Sequence, residues 1–393
     1  SGEQSMVTAH LRATLERQGY RIVGSHSAVK LCRWTKHQLR GRGGCYKHTF
    51  YGIESHRCME FTCCLACANR CVFCWRHQKN PVATAWNWQM DDPQHIVEQA
   101  VREQQEMLQI FKGAPDVAKH EKVLEACAVA HCALSLVGEP VLYPRIQELL
   151  DQLHSRRIST FLVNNGQFPD QLDAIQRVTQ LYLSVDAADP ATLKALGRPV
   201  FVDYWQRLLA SVAKLATNPN RTVFRLTHIK GGNDADPSGY AELMKLGQPS
   251  FVEFKGVTFT GVGCGVSMAN VPRFDETQAF ARAVLAAYNA QRAAASALPV
   301  YEVAAVHQHS VSVLLAQTKY FFDGAWHTWI DYDRYFELLA RGDATIDELS
   351  YSAPTPIWAL ETAPEQGFDP SQTRHHRNKL RTAVACSETC SCW

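Results

Sequence analysis

The chain has 393 residues, 46% of them apolar and 20% charged, with a formal net charge of +2. These are the proportions of an ordinary globular protein, so disorder and fibrous repeats are excluded, and a chain this long can fill a barrel-sized core. A nearly balanced charge gives no argument for a nucleic-acid partner, which has to be made locally.

Ser1 and Gly2 read as a residual tag, with the natural start further upstream, and Ser1 to Thr14 lacks the apolar centre of a signal peptide. No later stretch approaches the roughly 20 apolar residues that a membrane helix needs. A soluble, cytoplasmic protein with no membrane partner is therefore expected. Fourteen cysteines in such a chain argue for metal or redox work, because intracellular thiols rarely form structural disulfides. Eight of them fall between Cys32 and Cys74. Cys32, Cys45 and Cys58 are evenly spaced, with twelve residues between successive members. Brought together by a fold, they could hold an iron-sulfur cluster with an open iron; buried structural thiols are the plainer alternative. In the same region Lys30, Arg33, Lys36, Arg40, Arg42 and Lys47 occur without an acidic residue among them, interleaved with Trp34 and Tyr46. That mixture suits phosphate contact and base stacking in an RNA loop, although a charge run also reads as a solvated face.

The first predicted parallel strand begins at Phe61. Just after it, Cys67-Ala-Asn-Arg-Cys71-Val-Phe-Cys74 sets three thiols at intervals of four and three. One loop at that spacing can hold three irons of a cubane cluster and leave the fourth open for another ligand. Zinc is the alternative, with Cys63, Cys64 or His77 as the fourth ligand. Further parallel strands are predicted from His131, Ile158, Gln180, Arg221 and Phe251, separated by helix-length segments such as Tyr143 to His154, Phe201 to Ala216 and Ser238 to Gly247. Six strands joined by helical crossovers predict an α/β fold, a parallel barrel or partial barrel with function at the strand ends.

At those ends stand Gly138-Glu139-Pro140, then Asn164 and Asn165, then Ser184 and Asp186. The glycine lets backbone approach a ligand, and the glutamate can accept from an ammonium group. Asn, Ser and Asp are equally common as turn residues and caps. After a long predicted helix, Glu276 to Ala295, the segments Tyr301 to Leu315 and Tyr320 to Ile330 read as antiparallel strands with a turn at Asp323-Gly324. The tail beyond Ala353, punctuated by Pro354, Pro356, Pro364 and Pro370, reads as an irregular wrap. The expected divisions are an N-terminal extension over 1–60, a barrel over 61–297 and a C-terminal α+β extension and tail over 298–393.

Gly24-Ser-His-Ser, Leu31-Cys-Arg-Trp-Thr-Lys36, the run from Leu39 to Ile53 and the run from Cys67 to His77 closely resemble the wyosine-forming family of radical S-adenosylmethionine (SAM) enzymes, the tRNA 4-demethylwyosine synthases. The resemblance extends from about Leu15 to Arg377 and takes in His131 to Pro140, Ser184-Val-Asp186, Trp329-Ile-Asp-Tyr332 and Gly367-Phe-Asp-Pro370. It implies a radical SAM partial (βα)6 TIM-like barrel with two 4Fe-4S clusters. Cys67, Cys71 and Cys74 would hold the cluster that reduces and cleaves SAM, and Cys32, Cys45 and Cys58 the second. The resulting deoxyadenosyl radical would take hydrogen from the methyl group of N1-methylguanosine beside the anticodon of phenylalanine tRNA. The carbon radical would then add to pyruvate and close to 4-demethylwyosine.

Within that resemblance Gly138, Glu139 and Pro140 match the element that receives the methionine amine, with Asn164, Asn165, Ser184 and Asp186 as candidates for the remaining SAM contacts. Lys47, two residues from Cys45, either pairs with the pyruvate carboxylate or forms a Schiff base with its ketone; Lys230 and Lys255 are further candidates for that pocket. Eukaryotic relatives carry a flavodoxin-like domain ahead of this region and archaeal ones do not, so a flavin-dependent electron donor, upstream or separate, is expected. Two positions depart from the family pattern: Gly232 stands where an aromatic residue is usual, and Val306 where an acidic residue often precedes His307 to His309. The basic run Arg374 to Arg381 is a further candidate RNA contact, whereas Cys386, Cys390 and Cys392 match nothing in the family. The competing readings are another radical SAM enzyme acting on RNA and a zinc-stabilised RNA-binding protein without catalysis.

Overall fold

The structure, a computed structural model, describes residues 4–74, 80–113, 118–259, 261, 265–292, 297–342 and 345–374. Helix α1 (Ala9–Arg17) starts at Thr8, whose hydroxyl accepts from Leu11 N, and leads into a hairpin of β1 (Tyr20–Val23) and β2 (Ser27–Lys30). Two short helices, α2 (Arg33–Leu39) and α3 (Tyr46–Tyr51), precede β3 (Cys58–Thr62). The alternating part follows: α4 (Pro93–Lys112) and α5 (His120–Ala126) lead to β4 (His131–Leu134), and α6 (Ile146–His154) to β5 (Ser159–Asn164). Next, α7 (Pro169–Leu172) leads to β6 (Gln180–Ser184), and α8 (Pro190–Gly197) with α9 (Tyr204–Leu215) to β7 (Arg221–His228). Finally α10 (Pro237–Gly247) leads to β8 (Phe251–Gly256), with α11 (Phe274–Arg292) behind it.

All ten strands of the main sheet lie in the order β1-β2-β3-β4-β5-β6-β7-β8-β10-β9, where β9 is Tyr301–His307 and β10 is Ser312–Gln317. Pairing is parallel from β3 to β8, in the order expected from the sequence, and antiparallel in both flanks. The parallel core is thus extended at each edge rather than ending at β3 and β8. β3 starts at Cys58, so the expected division at residue 60 falls inside a strand and the third cysteine of the evenly spaced triplet stands on the sheet itself. In the C-terminal region the expected strand from Tyr320 to Ile330 is divided into β11 (Phe321–Phe322), β12 (Ala325–Trp326) and β13 (Trp329–Ile330). Asp323 and Gly324, both at positive φ, turn β11 into β12. Helix α12 (Tyr332–Ala340) follows, and β14 (Ser352–Ala353) pairs with β13.

The register fixes what faces the concave side. Ser184 lies opposite Arg225, Arg225 opposite Glu253 and Thr227 opposite Lys255. Because side chains alternate along a strand, these polar residues share one face while the apolar residues between them pack under the helices. The N-terminal end of this lumen is closed by aromatic groups. Tyr46, Phe50 and Tyr51 of α3 pack with Phe161, Tyr182 and Phe251 and with Tyr320, Tyr335 and Tyr351 of the C-terminal extension. Arg221, fully buried, stacks on Phe251 at 4.7 Å and bonds Thr328 O at 2.6 Å, Ser352 Oγ at 3.1 Å and Gln180 Oε1 at 3.2 Å, so it ties that extension to the barrel floor. No helix among the described residues is long and apolar enough to cross a membrane.

Candidate active site

The loop after β3 carries the closely spaced cysteines. Cys67 is fixed by a bridge to Val82, and its Sγ accepts from Asn69 N and from Asn165 Nδ2, both at 3.4 Å. The loop is held from outside by Arg70 N on Gly197 O at 3.0 Å and Val72 N on Leu196 O at 2.8 Å, which leaves Cys71 and Cys74 half-buried next to it. His77, one of the possible zinc ligands, lies outside the described residues. The buried Oδ1 of Asn69 has no hydrogen-bond partner.

Gly138 stands at φ +77°, and a Cβ there would sit 1.9 Å from Cys64 O. Only glycine lets the β4 end pass this close to the cysteine loop. Glu139 follows, 1% exposed: its N–H donates to Ala66 O at 2.8 Å, and its carboxylate accepts from Asn165 N at 2.8 Å and Val141 N at 3.4 Å. Burial pushes its carboxyl up to about 8. A buried carboxyl that pairs with no cation among the described residues, joined through Asn165 to Cys67, suits an ammonium group. Pro140 opens the following 3-10 turn. Asn165 joins Glu139 to Cys67, whereas Asn164 is occupied internally, donating to Tyr182 O at 2.6 Å and accepting from Gly166 N. Asn164 is a buried turn-former; Asn165 faces the site. Ser184 and Asp186 are half-buried on the lumen face, and Asp186 Oδ1 accepts from Thr227 N at 2.7 Å while burial raises its carboxyl.

Cys32 stands at the start of α2, Cys45 at the start of α3 and Cys58 at the first position of β3. Burial raises the Cys32 thiol, and Glu60, Cys45 and Cys58 add to the effect. Burial likewise pushes Cys58 up to about 12, against the opposing charge of Lys47. The three thiols are electrostatic neighbours in the fold, although among the described residues their sulfurs do not form a set with all ligand atoms within 4.8 Å of one another; Ser55 Oγ donates to Cys45 Sγ at 3.4 Å. Lys47 is 8% exposed, with Nζ 5.4 Å from the centre of the Tyr182 ring. Among the described residues Lys255 donates to the carbonyls of Ser310 (3.0 Å) and Gly256 (3.2 Å), and burial lowers its ammonium to about 8. Lys230 is different: it is paired with Glu276 at the surface.

Sequence reasoning misses Arg225 and Glu253, which lie in the register row of Ser184, two residues before the row of Thr227 and Lys255. Their signal was present: single polar residues at every second position of otherwise apolar strands.

Outside the lumen mouth, Trp34 of α2 packs against His37 (5.5 Å), His307 (5.9 Å) and His309 (5.5 Å), and His309 lies 6.3 Å from Phe368. Burial and the charges of Arg33, His309, Arg40 and Arg42 lower His37 to about 4. The basic run is not one solvated face: Arg33 and Lys36 are exposed, Lys30 is half-buried over Tyr20, and Lys47 points inward. Arg374 donates to Gln308; Arg377, Arg381 and the three terminal cysteines lie outside the described residues. Val306, at the second departure from the family pattern, is fully buried in the sheet, and Gly232 packs on Ile229.

A family model for the radical SAM superfamily matches residues 63–244, and one for wyosine base formation matches 246–317. The chain is 51% identical, over 99% of its length, to the SAM-dependent tRNA 4-demethylwyosine synthase of Oryza sativa, and 50% identical over 98% to the human enzyme. It spans 58% and 52% of those relatives, little more than half their length. A solved structure of TYW1 with a lysine-pyruvate adduct bound aligns with a TM-score of 0.69 and 29% identity, covering 80% of this chain and 97% of that one. An archaeal TYW1 aligns with a TM-score of 0.62 and 27% identity, covering 81% and 99%. The chain therefore carries a radical SAM region followed by a wyosine base formation region, and it is similar over nearly its whole length to the tRNA 4-demethylwyosine synthases.

Proposed function

We propose that this chain is the catalytic region that condenses the methyl group of N1-methylguanosine in phenylalanine tRNA with pyruvate to form 4-demethylwyosine. The observation that carries the reading is Lys47: a buried amine over Tyr182 and near the Cys58 thiol, with no acid or carbonyl of the described residues bonded to it. Cys67, Cys71 and Cys74 would hold one 4Fe-4S cluster and Cys32, Cys45 and Cys58 a second. When bound, the first cluster with SAM supplies a hydrogen-abstracting carbon radical, and the second supplies an iron open to an anionic oxygen.

The chain's own residues do the rest. Glu139 takes the methionine ammonium in its buried carboxylate, with Asn165 fixing that carboxylate against Cys67. Gly138 lets the two backbones close, and Ser184 and Asp186 offer polar contacts along the lumen wall for the remainder of SAM. Lys47 adds through its amine to the pyruvate keto carbon and releases water to give an imine, in keeping with the adduct named for the TYW1 structure. The aromatic floor of Phe161, Tyr182 and Phe251 excludes water from the radical. Trp34 and the histidines around it suit a splayed anticodon loop, with Arg33 and Lys36 toward its phosphates. Reducing electrons would come from a flavin-dependent donor, and the work is assigned to the cytoplasm.

The test is mass analysis of nucleosides from methylated phenylalanine tRNA incubated anaerobically with reconstituted protein, SAM and a reductant, with and without pyruvate. The tricyclic base should appear only with pyruvate. A modified base formed equally well without pyruvate would point to a different radical enzyme, and bound zinc with no SAM cleavage to an RNA-binding protein.

A further inference from the structure

Two cations of the lumen, Lys47 and Arg225, make no direct ion pair among the described residues, and Arg225 makes no side-chain hydrogen bond to any described residue although its buried Nε is an unused donor. Arg225 is half-buried, and a buried donor such as its Nε, left without an acceptor among the described residues, is costly unless a ligand supplies one. Arg225 lies next in register to Ser184 on one side and Glu253 on the other. Glu253 is turned toward α3, its Oε1 accepting from Tyr51 OH at 2.7 Å. Lys47 reaches in from α3, over Tyr182. Tyr182, under the Lys47 amine, lies two residues before Ser184, the register partner of Arg225, so the amine lies over, and the guanidinium rises from, adjacent rows of the same face, with Glu60 and Glu253 near both.

A lysine that attacks a ketone must be a neutral amine, and then it cannot also serve as the counter-ion of the substrate's carboxylate. A guanidinium cannot lose its charge and presents a planar fork that matches a carboxylate. We propose that Arg225 receives the carboxylate of the keto-acid co-substrate, holding its carbonyl carbon toward Lys47. This rests on the pyruvate reading above and assigns the division of labour within it: Arg225 selects the anion, Lys47 does the covalent chemistry, and the row Ser184, Arg225, Glu253 sets the orientation.

The experiment compares wild type, Arg225→Gln and Arg225→Lys as reconstituted enzymes, with pyruvate and with pyruvamide, its neutral amide analogue. Two readouts are taken: rate of product formation against co-substrate concentration, and the Lys47 adduct trapped by cyanoborohydride and located by peptide mass. Loss of a charged hydrogen-bonded pair predicts a rise in pyruvate KM of about 10- to 100-fold in Arg225→Gln, with pyruvamide much less affected. The preference for pyruvate over pyruvamide should collapse by the same factor. Because that preference is a ratio within one preparation, a poorly folded fraction cannot imitate it. If Arg225→Gln does not fold, Arg225→Lys decides: it keeps the charge without the fork and should lose several-fold of the preference. An unchanged preference in the variants, with the wild type consuming pyruvate and forming the adduct, overturns the role of Arg225 alone. A wild type that neither consumes pyruvate nor forms the adduct overturns the pyruvate reading, and the proposal with it.

Discussion

Gly138→Ala is the sharpest steric probe of the site. The new Cβ would stand 1.9 Å from Cys64 O and 2.9 Å from the carbonyl carbons of Cys64 and Leu65. An ordinary carbon-oxygen contact is about 3.3 Å, so the two backbones must part by roughly 1.4 Å. Neither gives way cheaply, because Glu139 N is bonded to Ala66 O and Leu65 N to His26 O. Overpacking of this kind costs about 1–3 kcal/mol, and an L-residue in the left-handed region adds about 1–2 kcal/mol, for a total of about 2–5 kcal/mol. The same displacement pulls Glu139 away from the cysteine loop. Denaturant unfolding of the metal-free protein should show the loss of stability, and release of deoxyadenosine from SAM by the reconstituted enzyme should fall by at least about 10-fold. Gly113→Ala, at φ −87° with nothing within 4 Å of its Cβ, is the matched control and should be nearly neutral. A Gly138→Ala protein with the wild-type unfolding midpoint and wild-type SAM cleavage would refute the close-approach argument.

Three further outcomes are expected. Glu139 is raised to about 8 by burial, so the folded state prefers its protonated form; its contribution to stability is full below the unfolded value near 4.5 and is lost as pH rises toward 8, at up to about 1.4 kcal/mol per pH unit. Unfolding midpoints measured across pH 5 to 8 should therefore fall less in Glu139→Gln than in wild type, and equal slopes would contradict the assignment. Arg221→Met should destabilise by about 2–4 kcal/mol in thermal or denaturant unfolding, because Thr328 O and Gln180 Oε1 lose their buried donor and four aromatic rings lose a cation. Lys47→Ala and Lys47→Arg should both abolish the trapped pyruvate adduct and reduce product to background while still binding iron; turnover at the wild-type rate would remove Lys47 from the chemistry.

The order and direction of the six central strands are legible because each is a short, continuous apolar run, the pattern of a sheet covered on its outer face. The flanking strands are not legible in the same way: β1 and β2 are four residues each, too short to show a period, and Cys58 reads as a loop ligand until the sheet is seen to start there. Helix α4 is absent from the sequence reading although Asp92 caps it, Pro93 opens it and Ile96, Val97, Ala100, Met107 and Leu108 mark its buried face. In the site, spacing identifies Cys67, Cys71 and Cys74, since one loop must supply all three. Cys32, Cys45 and Cys58 belong to three separate elements, so their spacing in the sequence carries no information on how near one another the fold sets them. Asn164 and Asn165 are alike in sequence, yet one side chain is spent on its own turn and the other bridges Glu139 and Cys67, a difference set by strand alternation.

The central claim, two cluster sites around one lumen, is tested most directly by iron and sulfide counts after anaerobic reconstitution. Wild type is compared with a triple alanine variant at Cys32, Cys45 and Cys58 and another at Cys67, Cys71 and Cys74. The account predicts about eight irons per chain in the wild type and about four in each variant. About four irons in the wild type, unchanged when Cys32, Cys45 and Cys58 are removed, or zinc in place of iron, would contradict it.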